Sequence, residues 1–236
     1  MGRAIVGTAG WSVARTATRF PQDGSSLERY AAVFSGVEIN SSFYRRHRPA
    51  TWQRWHDAVP EGFQFAVKLP KRISHEQHLA DCEDLLDEFF ADITPLGTKC
   101  GPLLLQLPPK LAFDETTVTK FFTALRQRCT TPVVIEPRHD SWAEPAVSEL
   151  LRSFAIGRVL ADPQSPALQA AAREESVLYL RLHGSPKIYY SAYAVEALDA
   201  YASQLVSASN GSWCIFDNTA SGAALTDALG VLDRLT

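Results

Sequence analysis

Short apolar runs alternate along this chain with longer stretches whose apolar residues return every three or four positions. The runs fall at residues 4–8, 37–40, 63–69, 102–107, 133–136, 158–162, 177–183 and 212–217. They have the composition of strands: Val133, Val134 and Ile135 set three β-branched side chains in a row, as in the middle of a buried strand. Between the runs lie amphipathic patterns at helical spacing, over residues 26–34, 52–59, 82–90, 118–125, 147–154, 194–206 and 223–235, with a weaker one at 167–173. Eight strand–helix alternations with short connections predict an α/β fold. The closed form, a single (β/α)8 TIM-type barrel with parallel strands, fits better than an open sheet. No linker or low-complexity tract interrupts the series, so residues 1–236 read as one domain.

A second regularity lies at the strand ends. The fifth run stops at Glu136, and Arg138, His139, Asp140 and Trp142 follow within six residues. Side chains alternate across a strand, so one parity faces the barrel axis and the other the helices. Phe63, Phe65 and Val67 suit the helix layer, which turns Gln64, Ala66 and Lys68 inward. In the seventh run Leu178, Leu180 and Leu182 point out, and Tyr179, Arg181 and His183 point in. The same rule assigns Glu38, Asn40, Gln106, Glu136, Arg138, Asp162 and Asn218 to the axis side. Three acids (Glu38, Glu136, Asp162) thus meet three cations (Lys68, Arg138, Arg181) and His183 at the carboxyl ends of the strands, where barrels build active sites. A purely structural plug would also need balanced charges, because buried ions are costly unless paired. Arg181, the deepest, reads as orienting Glu136 or Asp162. The number of polar groups exceeds what closing a barrel requires, which favours a pocket.

Composition narrows the class. With 46% hydrophobic and 21% charged residues the chain is ordinary for a globular protein. No apolar run approaches the ~20 residues of a membrane span, and the N-terminus enters a strand without a signal-peptide layout, so a cytoplasmic protein off the membrane is expected. The four cysteines are scattered, with no C-x-x-C pair, and read as free thiols. A net charge of −3 argues against a broad nucleic-acid footprint, yet the distribution matters more than the sum. Arg45, Arg46, Arg48, Lys71, Arg72 and Lys187 join Lys68, Arg138 and Arg181 on the expected catalytic face, 9 of the 23 Lys and Arg residues, which points to an anionic ligand. Trp11, Phe43, Tyr44, Trp142, Tyr189 and Tyr190 lie beside these charges and either pack or stack on a base or sugar. The seventh and eighth loops, 183–187 and 217–222, have the glycines (Gly184, Gly222) and the lysine (Lys187) of a phosphate cradle. Ordinary turns, with Ser221 capping the last helix, explain them equally.

Several motifs carry a resemblance: V-E-I-N-S-S-F-Y (37–44), W-x-x-W (52–55), V-P-x-x-F-x-F-A-V-K-x-P (59–70), G-P-L-L-L-Q-L-P-P (101–109), I-E-P-R-H-x-S-W (135–142), Y-L-R-L-H-G (179–184) and F-D-N-T (216–219). Together they resemble the YecE-like family, domain of unknown function 72, across the whole chain. The resemblance implies a TIM-type barrel and no particular reaction. Ala9 and Ser74 stand where Ser and Thr are expected from the family pattern, and receive no role.

The first reading is an enzyme, a hydrolase or lyase, acting on an anionic small molecule that bears a phosphate or carboxylate. Its catalytic residues are Glu136 as general acid or base, His183 as its partner, Lys68 to stabilise negative charge and Glu38 beside them. A strand-borne lysine of depressed pKa would also suit a Schiff base at Lys68. Asn40, Tyr44, Gln106, Arg138, His139, Trp142, Asp162, Arg181, Lys187, Tyr189, Asp217 and Asn218 complete the substrate-binding set. No cofactor is predicted: there is no H-x-x-x-H, C-x-x-C or H-E-x-x-H spacing and no dinucleotide fingerprint. A divalent metal held by Glu38, Glu136, His139, Asp162, His183 and Asp217 is the alternative, and would make the protein a phosphodiesterase or nucleic-acid repair enzyme. The third reading is a non-catalytic protein that binds nucleic acid or a metabolite. The sequence leaves oligomeric state open.

Overall fold

A computed structural model describes residues 4–173, 177–209 and 211–235. The strands are β1 (Ile5–Thr8), β2 (Gly36–Ile39), β3 (Gln64–Lys68), β4 (Cys100–Gln106), β5 (Val133–Glu136), β6 (Ile156–Asp162), β7 (Tyr179–Leu182) and β8 (Trp213–Phe216). They alternate with α1 (Ser26–Ala31), α2 (Pro49–Asp57), α3 (Glu83–Ile93), α4 (Glu115–Arg128), α5 (Pro145–Ser153), α6 (Pro166–Arg173), α7 (Val195–Ser207) and α8 (Ala223–Arg234). All strand pairs are parallel, in the order β1-β8-β7-β6-β5-β4-β3-β2. The ring closes where Ala9 bridges Glu38 and the Gly10 N–H donates to the Glu38 carbonyl at 2.9 Å. This is the expected (β/α)8 barrel.

Helix starts differ from the apolar pattern for a physical reason. Helix α2 begins at Pro49 and α4 at Glu115, three residues before the first periodic apolar position in each case. Those first turns hold a proline and polar residues, which start a helix without joining its buried stripe. Asp114 caps α4 by accepting from the Thr117 N–H at 2.8 Å, and Ser25 with Glu28 forms a capping box on α1.

The barrel has two apolar compartments. Phe65, Val67, Leu103, Leu105, Ile135, Leu180, Leu182 and Phe216 face the helices and belong to the large outer core. Inside the ring Ala66, Leu104, Val159, Ala161, Tyr179, Trp213 and Ile215 form a smaller cluster. Trp213 plugs its lower end, with Tyr179 stacked on it at 6.1 Å. Gly36 makes room for that plug: a Cβ there would stand 2.5 Å from the Ile5 side chain and 3.1 Å from the indole.

Two residues expected on the axis are not there. In β6 the inward residues are Val159 and Ala161, so Asp162 turns outward and accepts from the Tyr201 hydroxyl on α7 at 2.6 Å. In β8 Trp213 and Ile215 point inward, and the parity continues to Asp217. Asn218 turns away, its amide donating to Asp227 on α8 at 2.7 Å and to the Ser191 carbonyl at 2.9 Å. Toward their carboxyl ends both strands are apolar on both faces, Val159-Leu160-Ala161 and Trp213-Cys214-Ile215-Phe216, so alternation there does not reveal their parity. Tyr201→Phe is accordingly expected to cost about 1–3 kcal/mol, as loss of a hydrogen bond to a carboxylate does. Chemical unfolding measures this cost. The variant should respond to anions as the unaltered protein does.

Candidate active site

Arg181 stands on the axis one rung above Tyr179 and gathers three carboxylates. Its Nε and Nη2 donate to the two oxygens of Glu38 at 3.0 and 2.8 Å, and Nη1 donates to Glu136 Oε2 at 2.9 Å. Nη2 also lies 3.0 Å from Asp217 Oδ2. The Tyr179 hydroxyl donates to Glu38 Oε2 at 2.9 Å. Arg181, Glu38 and Glu136 are wholly enclosed. Burial works against the guanidinium charge, but Asp217, Glu38 and Glu136 outweigh it and hold the pKa well above its ordinary value. Arg181 therefore orients Glu136 as expected, and Asp217 takes the place foreseen for Asp162. Arg181 has no exposed surface, and the carboxylates it orients, Glu38, Glu136 and Asp217, are buried with it.

His183 forms the next rung. Its Nε2 lies 2.8 Å from Glu136 Oε1 and its Nδ1 3.1 Å from Asp217 Oδ2. Burial lowers the pKa of this imidazole, but Glu136 and Asp217 outweigh burial and raise it overall. Arg138 Nη2 donates to Glu136 Oε1 at 2.5 Å and stands 2.9 Å from His183 Nε2. That nitrogen cannot donate to Glu136 and accept from Arg138 at once. The raised pKa favours donation, and so the imidazolium. Glu136 also accepts from Gln106 Nε2 at 3.2 Å. Burial alone would raise its pKa, yet Arg181, His183 and Arg138 together hold it well below the usual carboxylate range. Glu136 is thus held as an anion. Asp217 is likewise lowered, with Arg181, His183 and Lys68 overcoming its burial.

Lys68 ends β3 at the same level. Only 4% of it is exposed, and its Nζ lies 4.1 Å from the centre of the Phe43 ring. Among the described residues Nζ has no hydrogen-bond acceptor. Burial and the nearby Arg181 depress its pKa from 10.5 to about 8, against the pull of Glu38, Glu136 and Asp217. Phe43 is held in place locally: Ser42 Oγ donates to the Lys68 carbonyl at 2.6 Å, and the His75 ring meets Phe43 edge-on at 5.0 Å. Asn40 reaches Asp217 Oδ1 at 3.4 Å through its amide nitrogen, while its Oδ1 is buried without a partner among the described residues. Tyr189, in the left-handed region at φ 69°, lies edge-on over His183 at 5.7 Å.

Other expected site residues lie apart from this network. Trp142 is fully buried, donating to the Leu111 carbonyl at 2.9 Å and packing on Phe113. The His139 side chain accepts from the Ser141 N–H at 3.2 Å and caps the turn after β5. Tyr44 is exposed and contacts Phe43 edge-on. Lys187 lies 4.1 Å from the Tyr190 ring centre. The Gly184 N–H, foreseen as part of a phosphate cradle, donates to the Tyr193 hydroxyl at 2.9 Å. The basic mouth is weaker than the sequence suggests: Arg46 pairs with Asp92 and Glu88, Arg72 with Glu88, and Lys71 with Glu76. Sequence reading missed the Tyr179–Glu38 bond, although the inward parity of Tyr179 signals it. Among the described residues no three His, Cys, Asp or Glu side chains stand together as metal ligands. Glu38, Glu136 and Asp217 are joined instead by Arg181 and His183.

A closed parallel barrel with an ionic network at its carboxyl end makes this a TIM-type barrel protein. The chain belongs to the family described as protein of unknown function DUF72, whose model matches residues 5–236. It is 39% identical over 84 residues to the UPF0759 protein YecE of Escherichia coli, a match covering 36% of this chain and 31% of that protein. It is 28% identical over 176 residues to the UPF0759 protein YunF of Bacillus subtilis, covering 68% and 62% respectively. The matches therefore span less than two thirds of either relative. Two solved structures are similar: a DUF72 family protein from Thermotoga maritima, with TM-score 0.80 and 23% identity over 99% of both chains, and one from Enterococcus faecalis, with TM-score 0.79 and 20% identity over 98% of this chain and 95% of that one. At such identities the likeness shows the fold alone. Among the described residues no helix is long and apolar enough to cross a membrane.

Proposed function

We propose that the protein is an enzyme that binds a small phosphate- or carboxylate-bearing anion at the carboxyl end of the barrel and performs acid–base chemistry on it. The charge count of the network carries this reading. Glu38, Glu136 and Asp217 face Lys68, Arg138, Arg181 and a His183 held toward its charged form, which leaves one positive charge in surplus. A buried surplus charge is unfavourable, and an arriving anion relieves it. Lys68 and Arg138 are the cations of the network that keep exposed surface, at 4% and 21%.

Roles follow from protonation. Glu136 stays ionised, anchoring Arg138 and His183. Proton transfer falls to Lys68, whose pKa of about 8 lets it change charge near neutral pH. Glu38, Gln106 and Arg181 position the rest. A metal-dependent phosphodiesterase is less well supported, because a cation would have to displace Arg181 and His183 from the carboxylates they hold. A binding protein without turnover is the second reading. It is favoured by the complete enclosure of Glu136, Arg181 and His183.

Thermal unfolding tests the proposal, since a ligand of the native state must raise the melting temperature. Inorganic phosphate and small carboxylates at millimolar levels should raise it, and Lys68→Met should abolish the response. A melting temperature that no such anion moves would overturn the proposal. Stabilisation without turnover of any supplied anion would favour binding alone.

A further inference from the structure

We infer that Lys68 is an amine nucleophile and that the site takes a small carbonyl compound bearing a carboxylate or phosphate, held as an imine on Nζ. This deepens the proposed function and rests on it. The argument begins from a comparison within the chain. Lys99 is as buried as Lys68, at 4% exposed, and its Nζ donates to the carbonyls of His56 and Val59, each at 2.8 Å. That is how this protein satisfies a structural lysine. Among the described residues Lys68 has no such acceptors, only the face of Phe43. Three carboxylates lie near enough to act on its charge, but Arg181 and His183 hold them. A lysine placed to neutralise the network would bond one of them.

A second observation points to a ligand at the same place. Ile39 is in register with Val67, so Asn40 and Lys68 follow on adjacent strands at the same height. Asn40 Oδ1 is buried there with no donor among the described residues. It offers an acceptor to the hydroxyl formed when an amine adds to a carbonyl. Arg138, whose side chain is 21% exposed, is available to the anionic group. The lysine's pKa of about 8 supplies free amine near neutrality, which attack requires. In the reaction Nζ bonds to the carbonyl carbon, and the carbonyl oxygen leaves as water with two hydrogens from the amine. No electrons are gained or lost and no co-reactant is needed. The neutral imine takes up one proton from water, and in that form draws electrons from a neighbouring bond, as lyase chemistry requires.

The test is reductive trapping on the full chain with glyoxylate, pyruvate or glycolaldehyde phosphate and cyanoborohydride, with the adduct located by peptide mass spectrometry. Lys68 should be labelled faster than the exposed Lys71, Lys110, Lys120 and Lys187, by on the order of tenfold near pH 7.5, because it holds far more free amine. Lys68→Arg, which keeps the charge, should lose that adduct and leave labelling of the exposed lysines unchanged. Labelling confined to the exposed lysines overturns the inference. If phosphate still raises the melting temperature in that case, the imine falls and the anion-binding reading stands. If neither effect is seen, both fall.

Discussion

Replacing Arg181 with methionine is expected to destabilise the protein by on the order of 3–5 kcal/mol, the cost of leaving a buried ion without its partner. The upper end applies here, because one guanidinium serves Glu38, Glu136 and Asp217, all within 3.0 Å. No water reaches Glu38 or Glu136 from outside to replace it, as neither has exposed surface. Had Arg181 a single acid partner, replacing that acid as well would restore stability, since matched apolar groups avoid desolvation altogether. With three partners, Arg181→Met with Glu136→Gln should recover only part of the loss, and adding Glu38→Gln should recover more. Urea unfolding of the single, double and triple variants measures the series. A single variant within ~1 kcal/mol of the unaltered protein would mean that the guanidinium is not the hub of the network.

What the sequence reveals of this site depends on whether a strand shows its parity. In β7 three leucines alternate with Tyr179, Arg181 and His183, and the structure puts that second set on the axis. In β3 the phenylalanines give Lys68 away in the same manner. Strands β6 and β8 end in segments apolar on both faces, Val159-Leu160-Ala161 and Trp213-Cys214-Ile215-Phe216, and there alternation puts the polar residue at the end one position out or on the wrong side. The surface cations mislead for a different reason. Arg46 and Arg72 find their acids on α3, at Glu88 and Asp92, more than fifteen residues away, and no local pattern announces such pairs. The Lys68–Phe43 contact depends on the short turn after β2, which brings the ring back over the barrel mouth. Electrostatics adds what spacing cannot. Glu136 looks like an acid awaiting a proton until its neighbours, two guanidiniums and an imidazole, are seen around it.

Lys68→Met should make the protein more stable near pH 7 while removing its response to anions. The fall of the lysine pKa from 10.5 to about 8 measures how much the folded protein resists its charge. At ~1.4 kcal/mol per pH unit that resistance amounts to about 3 kcal/mol. Methionine matches the lysine in length, brings no charge, and places a sulfur against the Phe43 ring. The gain should depend on pH with a definite sign. Below about 8 the lysine is protonated in both the folded and unfolded chains, and the full cost is present. Between about 8 and 10.5 only the unfolded chain keeps the proton, so the unaltered protein gains stability from this group as pH rises. Above that window both forms are neutral and the advantage of methionine vanishes. Urea unfolding of both proteins at pH 7, 9 and 10.5 reads out this convergence. A methionine variant less stable than the parent at pH 7, or one whose advantage stays constant across the series, would show that Lys68 is held in place as a structural cation. A stabilising change that silences the anion response would instead mark Lys68 as a residue kept at a cost in stability for what it does to a ligand.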